Sequence, residues 1–351
     1  MSTTRFVSAA ALVAALSLPA GLRAEISDRC IARLDGERAS VLVPNAPGGG
    51  YDTYARALAP AIEEVSGMVL RVVNMPAAGG RAARALAADP PRGEFLYLIE
   101  NTSDLVTTET GIAEDGTRTL LVQSFDSVGI LHLAPEAWAA RTGFDLADAS
   151  GGPIIAGAGT ISDAVIPVIL AAEALGREAQ IVGGYSGSTD QAAAAARGET
   201  DMTSVSLQSA ERLAAAGTLD VVLILSDTPA PAHPDVPVLA GPEGIVWAMT
   251  DALDPAERDR RRALAQLSAD LSGSVRSIHV SMTLPEEDRT CLAEALNTAM
   301  EHPTYLDAIA AQGRPITNRT AEEARALTAR MIEGYLAAAD LIGAARARVE
   351  Q

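Results

Sequence analysis

Residues 41–56 read VLVPNAPGGGYDTYAR, and their order is strand, glycine turn, helix. Val41, Leu42 and Val43 form an apolar run closed by Pro44. Gly48, Gly49 and Gly50 follow, and then a stretch of helical character begins. A helix entered in this way presents unbonded N–H groups in its first turn, with the positive end of its dipole behind them. The glycines permit positive φ angles and let a ligand approach the backbone closely. Asp52 suits a helix cap, and Arg56 lies one turn later, within its reach. The same turn also joins any ordinary α/β unit. The segment alone therefore fits both an anion cradle and a plain connection.

The first 24 residues are set apart from the fold. Arg5 supplies a short basic region, residues 7–18 (VSAAALVAALSL) are apolar, and Leu22-Arg23-Ala24 offers a small-residue cleavage site before Glu25. The apolar run is too short and too interrupted for a permanent membrane span. Cys30 lacks the small apolar residues that precede a lipidated cysteine. An exported, periplasmic protein with its signal peptide cleaved near Ala24 is expected. Removing that signal takes two of the 27 basic residues, Arg5 and Arg23, and none of the 45 acidic ones, so the net charge moves from −18 to −20. Such a charge argues against nucleic acid or an anionic membrane as partner. It leaves room for a small anion, because a helix terminus inside a cleft outweighs distant surface charge. The remaining length of roughly 325 residues suits two lobes. Cys30 and Cys291 are the only cysteines. In an oxidising compartment they invite a disulfide, and whether they pair depends on the fold.

The pattern of the opening segment returns along the chain. Strands are expected at 69–73, 95–99, 154–156, 179–182, 202–205 and 221–225, and helices at 54–65, 81–88, from about 161 to 175, and 189–197. The loops 74–80, 157–160 and 183–188 are rich in glycine, and Asn101-Thr102-Ser103-Asp104 follows the third strand. Alternation of this kind predicts α/β lobes with mostly parallel sheets, and ligands there sit beyond the carboxyl ends of the strands. Residues 254–271 read as a separate helix, with Asp254 as N-cap, Pro255 at the first position and Glu257 completing a capping box. It carries Arg258, Arg260, Arg261 and Arg262, the densest basic cluster in the chain. The two readings of that cluster are a solvated helix face and a docking or gating surface. Further helix starts are expected at 283–286 and 320–323.

Chemistry-bearing motifs fail one by one. Gly184–Ser188 is no nucleophile elbow, because Ser188 occupies the place of the second glycine. Residues 47–52 lack the Gly-Lys-Ser/Thr of a phosphate loop. His132, His233, His279 and His302 are scattered without metal-ligand spacing. No enzyme activity, cofactor or metal is expected.

With its segments placed, the chain resembles the substrate-binding proteins of tripartite tricarboxylate transporters, the Bug family. That family opens with V-P-x-A-P-G-G-x-x-D-x-x-x-R, matched by Val43-Pro44-Asn45-Ala46-Pro47-Gly48-Gly49-Gly50-Tyr51-Asp52 with Arg56 in register. Its second loop resembles Asn74-Met75-Pro76-Ala77-Ala78-Gly79-Gly80, with alanine for the first glycine. Gly157-Ala158-Gly159-Thr160 matches its G-x-G-[ST] loop, and Gly184-Tyr185-Ser186-Gly187-Ser188 its P-Y-x-G-[ST] loop, with glycine for proline. Gly198-Glu199-Thr200-Asp201 and Pro234-Asp235-Val236-Pro237 match two further runs. Asn45 stands where the family carries an aromatic, which makes the pocket wall more polar.

The resemblance implies a two-lobed periplasmic-binding-protein fold (type II-like), each lobe a mostly parallel sheet flanked by helices, with the ligand cleft between the lobes. The expected boundaries are 25–125 plus 246–351 for the first lobe and 126–245 for the second, with 250–279 as an insertion atypical of the family. The implied ligand is a small carboxylate, a di- or tricarboxylate or related organic acid. It would be held mainly by backbone amides, with short hydroxyls and ordered water supplying further bonds. The implied site comprises Asn45, Pro47, Gly48, Gly49, Asp52, Ser103, Ala158, Gly159, Thr160, Ser162, Ser186, Gly187 and Ser206. Asp52 belongs to it as cap and Arg56 partner more than as a direct contact. The implied partners are the membrane subunits of such a transporter, served by a monomer. Rival readings are an orphan receptor for a sensor kinase or chemoreceptor, and a periplasmic enzyme on the same fold.

Overall fold

The computed structural model describes residues 25–146, 154–157, 165–183, 185, 188–272 and 276–349. The signal-peptide reading therefore lies outside the described residues. The chain begins with α1 (Asp28–Leu34), β1 (Arg38–Val43), α2 (Gly50–Ser66), β2 (Val69–Asn74), α3 (Arg81–Ala88), β3 (Phe95–Asn101) and the short α4 (Thr102–Val106). A hairpin of β4 (Glu109–Ile112) and β5 (Arg118–Leu120) leads to β6 (Phe125–His132). There follow β7 (Glu136–Ala140), β8 (Ile154–Gly157), α5 (Ile166–Ala174), β9 (Ala179–Val182), α6 (Ser188–Ala196), β10 (Met202–Ser206), α7 (Leu207–Ala215) and β11 (Asp220–Leu225). The chain closes with α8 (Ile245–Thr250), α9 (Pro255–Ser272), β12 (Arg276–Ser281), α10 (Glu286–Met300), α11 (Pro303–Ala310), α12 (Ala321–Ala337) and α13 (Ala339–Val349).

Two five-stranded sheets carry the fold, in the orders β2-β1-β3-β12-β6 and β11-β7-β10-β8-β9. Each is mostly parallel with one reversed strand. β12 runs antiparallel to β3 and β6, and β7 runs antiparallel to β10 and β11. The reversed strand is in each case the one that enters from the other sheet. As a result the carboxyl ends of β1, β2, β3 and β6 and the first residue of β12 share one edge. In the second sheet the ends of β8, β9, β10 and β11 share an edge with the start of β7.

Near-continuous apolar runs explain the buried strands. Every residue of β6, and all but one of β1 and of β3, is shielded from water, as parallel strands covered on both faces require. β2, at the edge, alternates between exposed and half-buried. One face of the first sheet packs on α1, α2, α10 and α11. The other merges with a core that includes α5, α9 and α12 and continues into the second lobe. Cys30 and Cys291 form a disulfide between α1 and α10, so the pairing that the sequence left open is made.

Two expectations need correction. β6 lies in the first sheet, so the passage between sheets falls between His132 and Glu136 and not at 125–126. The stretch 250–279, expected as an insertion, also runs too far. Residues 276–279 open β12, a strand in the interior of the first sheet, and α9 buries Leu264, Ala265, Leu267, Ser268 and Leu271 against α5 and α12. The start of α9 follows the expected cap only in part. Asp254 Oδ1 accepts from the N–H groups of Ala256 and Glu257, each at 3.1 Å, while the Glu257 carboxylate turns to Arg260 and Arg261. Among the described residues no helix is long and apolar enough to cross a membrane.

Candidate functional site

The loop between β1 and α2 places Asn45, Pro47, Gly48 and Gly49 on the surface at the shared strand edge. Gly48 has φ +84°, a conformation that side-chain-bearing residues avoid. Asp52, in the first turn of α2, reaches back to accept from Gly48 N–H at 2.8 Å. Arg56 closes on the same carboxylate, with Nε 3.0 Å from Oδ2 and Nη2 2.9 Å from Oδ1. Arg56 Nη2 also donates to Asn74 Oδ1 at 3.1 Å, and Asn74 Nδ2 donates to the carbonyl of Asn45 at 3.1 Å. Asp52 is buried, which by itself would raise its pKa. The Arg56 and Gly48 hydrogen bonds, helped by Asn74, outweigh burial and hold its carboxyl below the usual range. Asp52 and Arg56 thus brace the first loop against the second.

The second loop is tied down in the same manner. Arg84 pairs with Glu100 at 2.7 Å and donates to the carbonyl of Gly79 at 2.9 Å. Burial pushes the Glu100 carboxyl up, and Arg84 offsets part of that rise. Ala78, in this loop, has φ 52°, the left-handed region that glycine tolerates better.

Ser103 is nearly buried in α4, where its carbonyl accepts from Thr107 Oγ1 at 2.8 Å. A small cavity of about 40 Å³ has Asn101, Ser103 and Asp104 on one side and Glu136 and Pro167 on the other, so residues of both lobes line it. Ser206 is the register partner of Glu136, and its hydroxyl donates to Ser209 Oγ at 3.0 Å. Burial pushes the Glu136 carboxyl up to about 7, against the pull of a 2.8 Å hydrogen bond from Ser204. The site residues Ala158, Gly159, Thr160, Ser162, Ser186 and Gly187 lie outside the described residues. A larger cavity of about 710 Å³ sits at the opposite edge, where Arg38, Val69 and Phe95 begin their strands. Parallel sheets do not place ligands at that edge.

The structure adds residues at the cleft edge that the sequence reading passed over. Arg276 begins β12 as the register partner of both Asn101 and His132. Its guanidinium carbon lies 5.1 Å from the Tyr51 ring centre and 5.4 Å from that of Tyr54. Tyr54 in turn stacks on His132 at 6.0 Å with 10° between the rings. Burial, with Arg276 and Arg314 nearby, lowers the His132 pKa to about 4, so the ring is neutral at physiological pH. Burial raises the Tyr51 phenol above its ordinary range, as do Glu100 and Asp104. In the sequence Arg276 falls within the stretch that reads as an insertion. The one signal available was the apolar run around Ile278 and Val280, which marks a strand. Among the described residues no group of three or more His, Cys, Asp or Glu is placed to hold a metal ion.

No family model matches the chain. No curated protein matches it either. Solved structures do. A TctC solute-binding protein from Polaromonas superposes with TM-score 0.63 at 20% identity, over 85% of this chain and 96% of that one. The periplasmic binding protein BugD gives 0.54 at 17% identity, over 88% and 98%. The R. palustris protein Rpa4515, solved with adipate, gives 0.54 at 17% identity, over 87% and 97%. The chain therefore shares its fold with the TctC solute-binding protein and with BugD.

Proposed function

We propose that this chain is a periplasmic solute-binding protein of the tripartite tricarboxylate transporter type, a member of the Bug family. It captures a small carboxylate, a di- or tricarboxylate or related organic acid, and delivers it to membrane subunits without chemistry. The observation that carries the reading is the braced glycine loop at the start of α2. Asp52 and Arg56 neutralise each other there, which leaves the N–H groups of the helix start to face an anion. The fold shared with TctC, and the adipate bound to a protein of that fold, favour the same ligand class. The counterpart jaw is the pair of loops around 157–162 and 184–188, together with Ser206. Ligand binding shifts the population from open to closed lobes, and the closed form presents the surface that a transporter recognises.

A thermal-shift screen of the mature protein against di- and tricarboxylates, aromatic acids and acidic amino acids tests this. Stabilisation by an acid that mass spectrometry recovers intact is the expected result. Conversion of that acid into a product sinks the reading, as does a screen in which no acid stabilises the protein.

A further inference from the structure

We propose that Arg276 is the side chain that anchors the ligand's carboxylate at the start of α2. The inference rests on the proposed function and names a residue that carries it. Three observations converge on this guanidinium.

The first is its placement. Arg276 opens β12 at the cleft edge of the first sheet, beside the carboxyl ends of β3 and β6. A Cβ added to Gly50 would lie 2.9 Å from Arg276 Nη2 and 3.3 Å from its Nε. The guanidinium therefore lies against the first turn of α2, close enough that a side chain at position 50 would make it give way. The guanidinium carbon also lies over the rings of Tyr51 and Tyr54. A guanidinium held by cation–π contacts keeps its N–H groups for an acceptor, and its fork matches a carboxylate in a bidentate arrangement.

The second is the missing counter-charge. Arg276 Nε is buried with no hydrogen-bond partner among the described residues. A buried donor on a charged group is costly to leave unsatisfied. The acids on the neighbouring loops are already engaged: Asp52 with Arg56 and Gly48, and Glu100 with Arg84. In a chain of net charge −18, a half-buried arginine with no acid paired to it among the described residues is conspicuous.

The third is its company. His132 is 4% exposed, and its Nδ1 also lacks a partner among the described residues. Arg314, half-buried, acts with Arg276 on both His132 and Tyr54. A guanidinium unpaired among the described residues, a neutral imidazole and the start of a 17-residue helix thus meet at one spot, with Arg314 adding positive charge near the imidazole. That spot is suited to a single carboxylate group, whose oxygens bond the Arg276 fork and the α2 amides.

The test is calorimetric titration of the mature protein with succinate, malate, adipate and citrate, and with the half-amide of whichever binds most tightly. Wild type, Arg276→Gln and Arg276→Lys are compared. The expected result is that Arg276→Gln weakens binding by about 10- to 100-fold, with Arg276→Lys falling between. The half-amide binds wild type poorly and loses little more on Arg276→Gln. If wild type binds an acid and Arg276→Gln stays within about threefold, the proposal is overturned and the functional reading stands. If wild type binds none of these acids, nor any acid of the thermal-shift screen, both are overturned. Should Arg276→Gln fail to fold, Arg276→Lys decides: affinity equal to wild type overturns the anchor, and a clear loss supports it.

Discussion

Two arginine-bearing regions lie within twenty residues of each other and behave in opposite ways. On α9 four arginines crowd together, and each has a partner. Arg258 pairs with Asp259, Arg260 and Arg261 with Glu257, and Arg262 donates to the Trp247 carbonyl while lying 5.4 Å from that ring's centre. At the start of β12, Arg276 stands alone in the sequence and finds two aromatic faces but no anion among the described residues. Every arginine of the crowded cluster is engaged, and Arg262 ties α9 to α8. The solitary residue retains its capacity for an acceptor. In a strongly acidic chain it is the unspent cation, and not the dense group of cations, that marks where an anionic ligand goes.

The comparison predicts separable effects. The largest is on binding: Arg276→Gln is expected to weaken carboxylate affinity by about 10- to 100-fold, whereas neutralising Arg258, Arg260 and Arg261 together leaves titration curves unchanged. A loss of affinity in that triple variant would break the contrast. Next comes the brace on the first loop. Asp52→Ala leaves Arg56 and the Gly48 N–H without their acceptor, and a loss of about 1–3 kcal/mol in urea unfolding is expected. Arg262→Ala removes a backbone hydrogen bond and a cation–π contact, for about 1–2 kcal/mol, with affinity untouched.

The pH response sets two buried histidines against Glu136, whose carboxyl, raised to about 7, gains stability as pH falls and offsets part of their loss. His279 is fully buried against Ser127 Oγ at 3.1 Å, and burial lowers its pKa to about 3; His132 is lowered to about 4. Both are neutral in the fold, and an unfolded chain protonates them below their ordinary value of about 6.5. Stability from this source is therefore complete above that value and drains away as pH falls towards 4 and then 3. Melting midpoints measured from pH 7 to pH 4.5 are expected to fall, and His132→Gln is expected to reduce the slope. An equally steep fall in that variant would show that His132 is not protected from protons as described. The smallest effect concerns Ala78. Relief of its left-handed backbone by Ala78→Gly exceeds the entropy cost of a glycine, and a gain of about 0.5–1 kcal/mol is expected. A loss in urea unfolding would contradict that balance.

Most of the alternation was legible. The strand at Ala179–Val182, the helix at Arg81–Ala88 and the capping box at Thr320 follow from local pattern and turn chemistry, because each depends on residues close in sequence. The bracing role of Asp52 and Arg56 was legible for the same reason, being a one-turn pair. β6 and β12 were not recognised as strands of the first sheet. Their pairing spans more than 140 residues, and β12 follows a helix so charged that the whole stretch resembles an insertion. Arg276 went unnoticed for a related reason. What distinguishes it is the absence of a partner among the described residues, and that emerges only when Asp52 and Glu100 are seen to be taken.

The most direct measurement is a crystal structure of the mature protein with the acid that binds it most tightly. The account predicts a carboxylate against the Arg276 fork and the amides that open α2, between the two sheet edges. Density for the acid in the cavity beside Arg38 and Phe95, or between the lobes with Arg276 still unpaired, would contradict it.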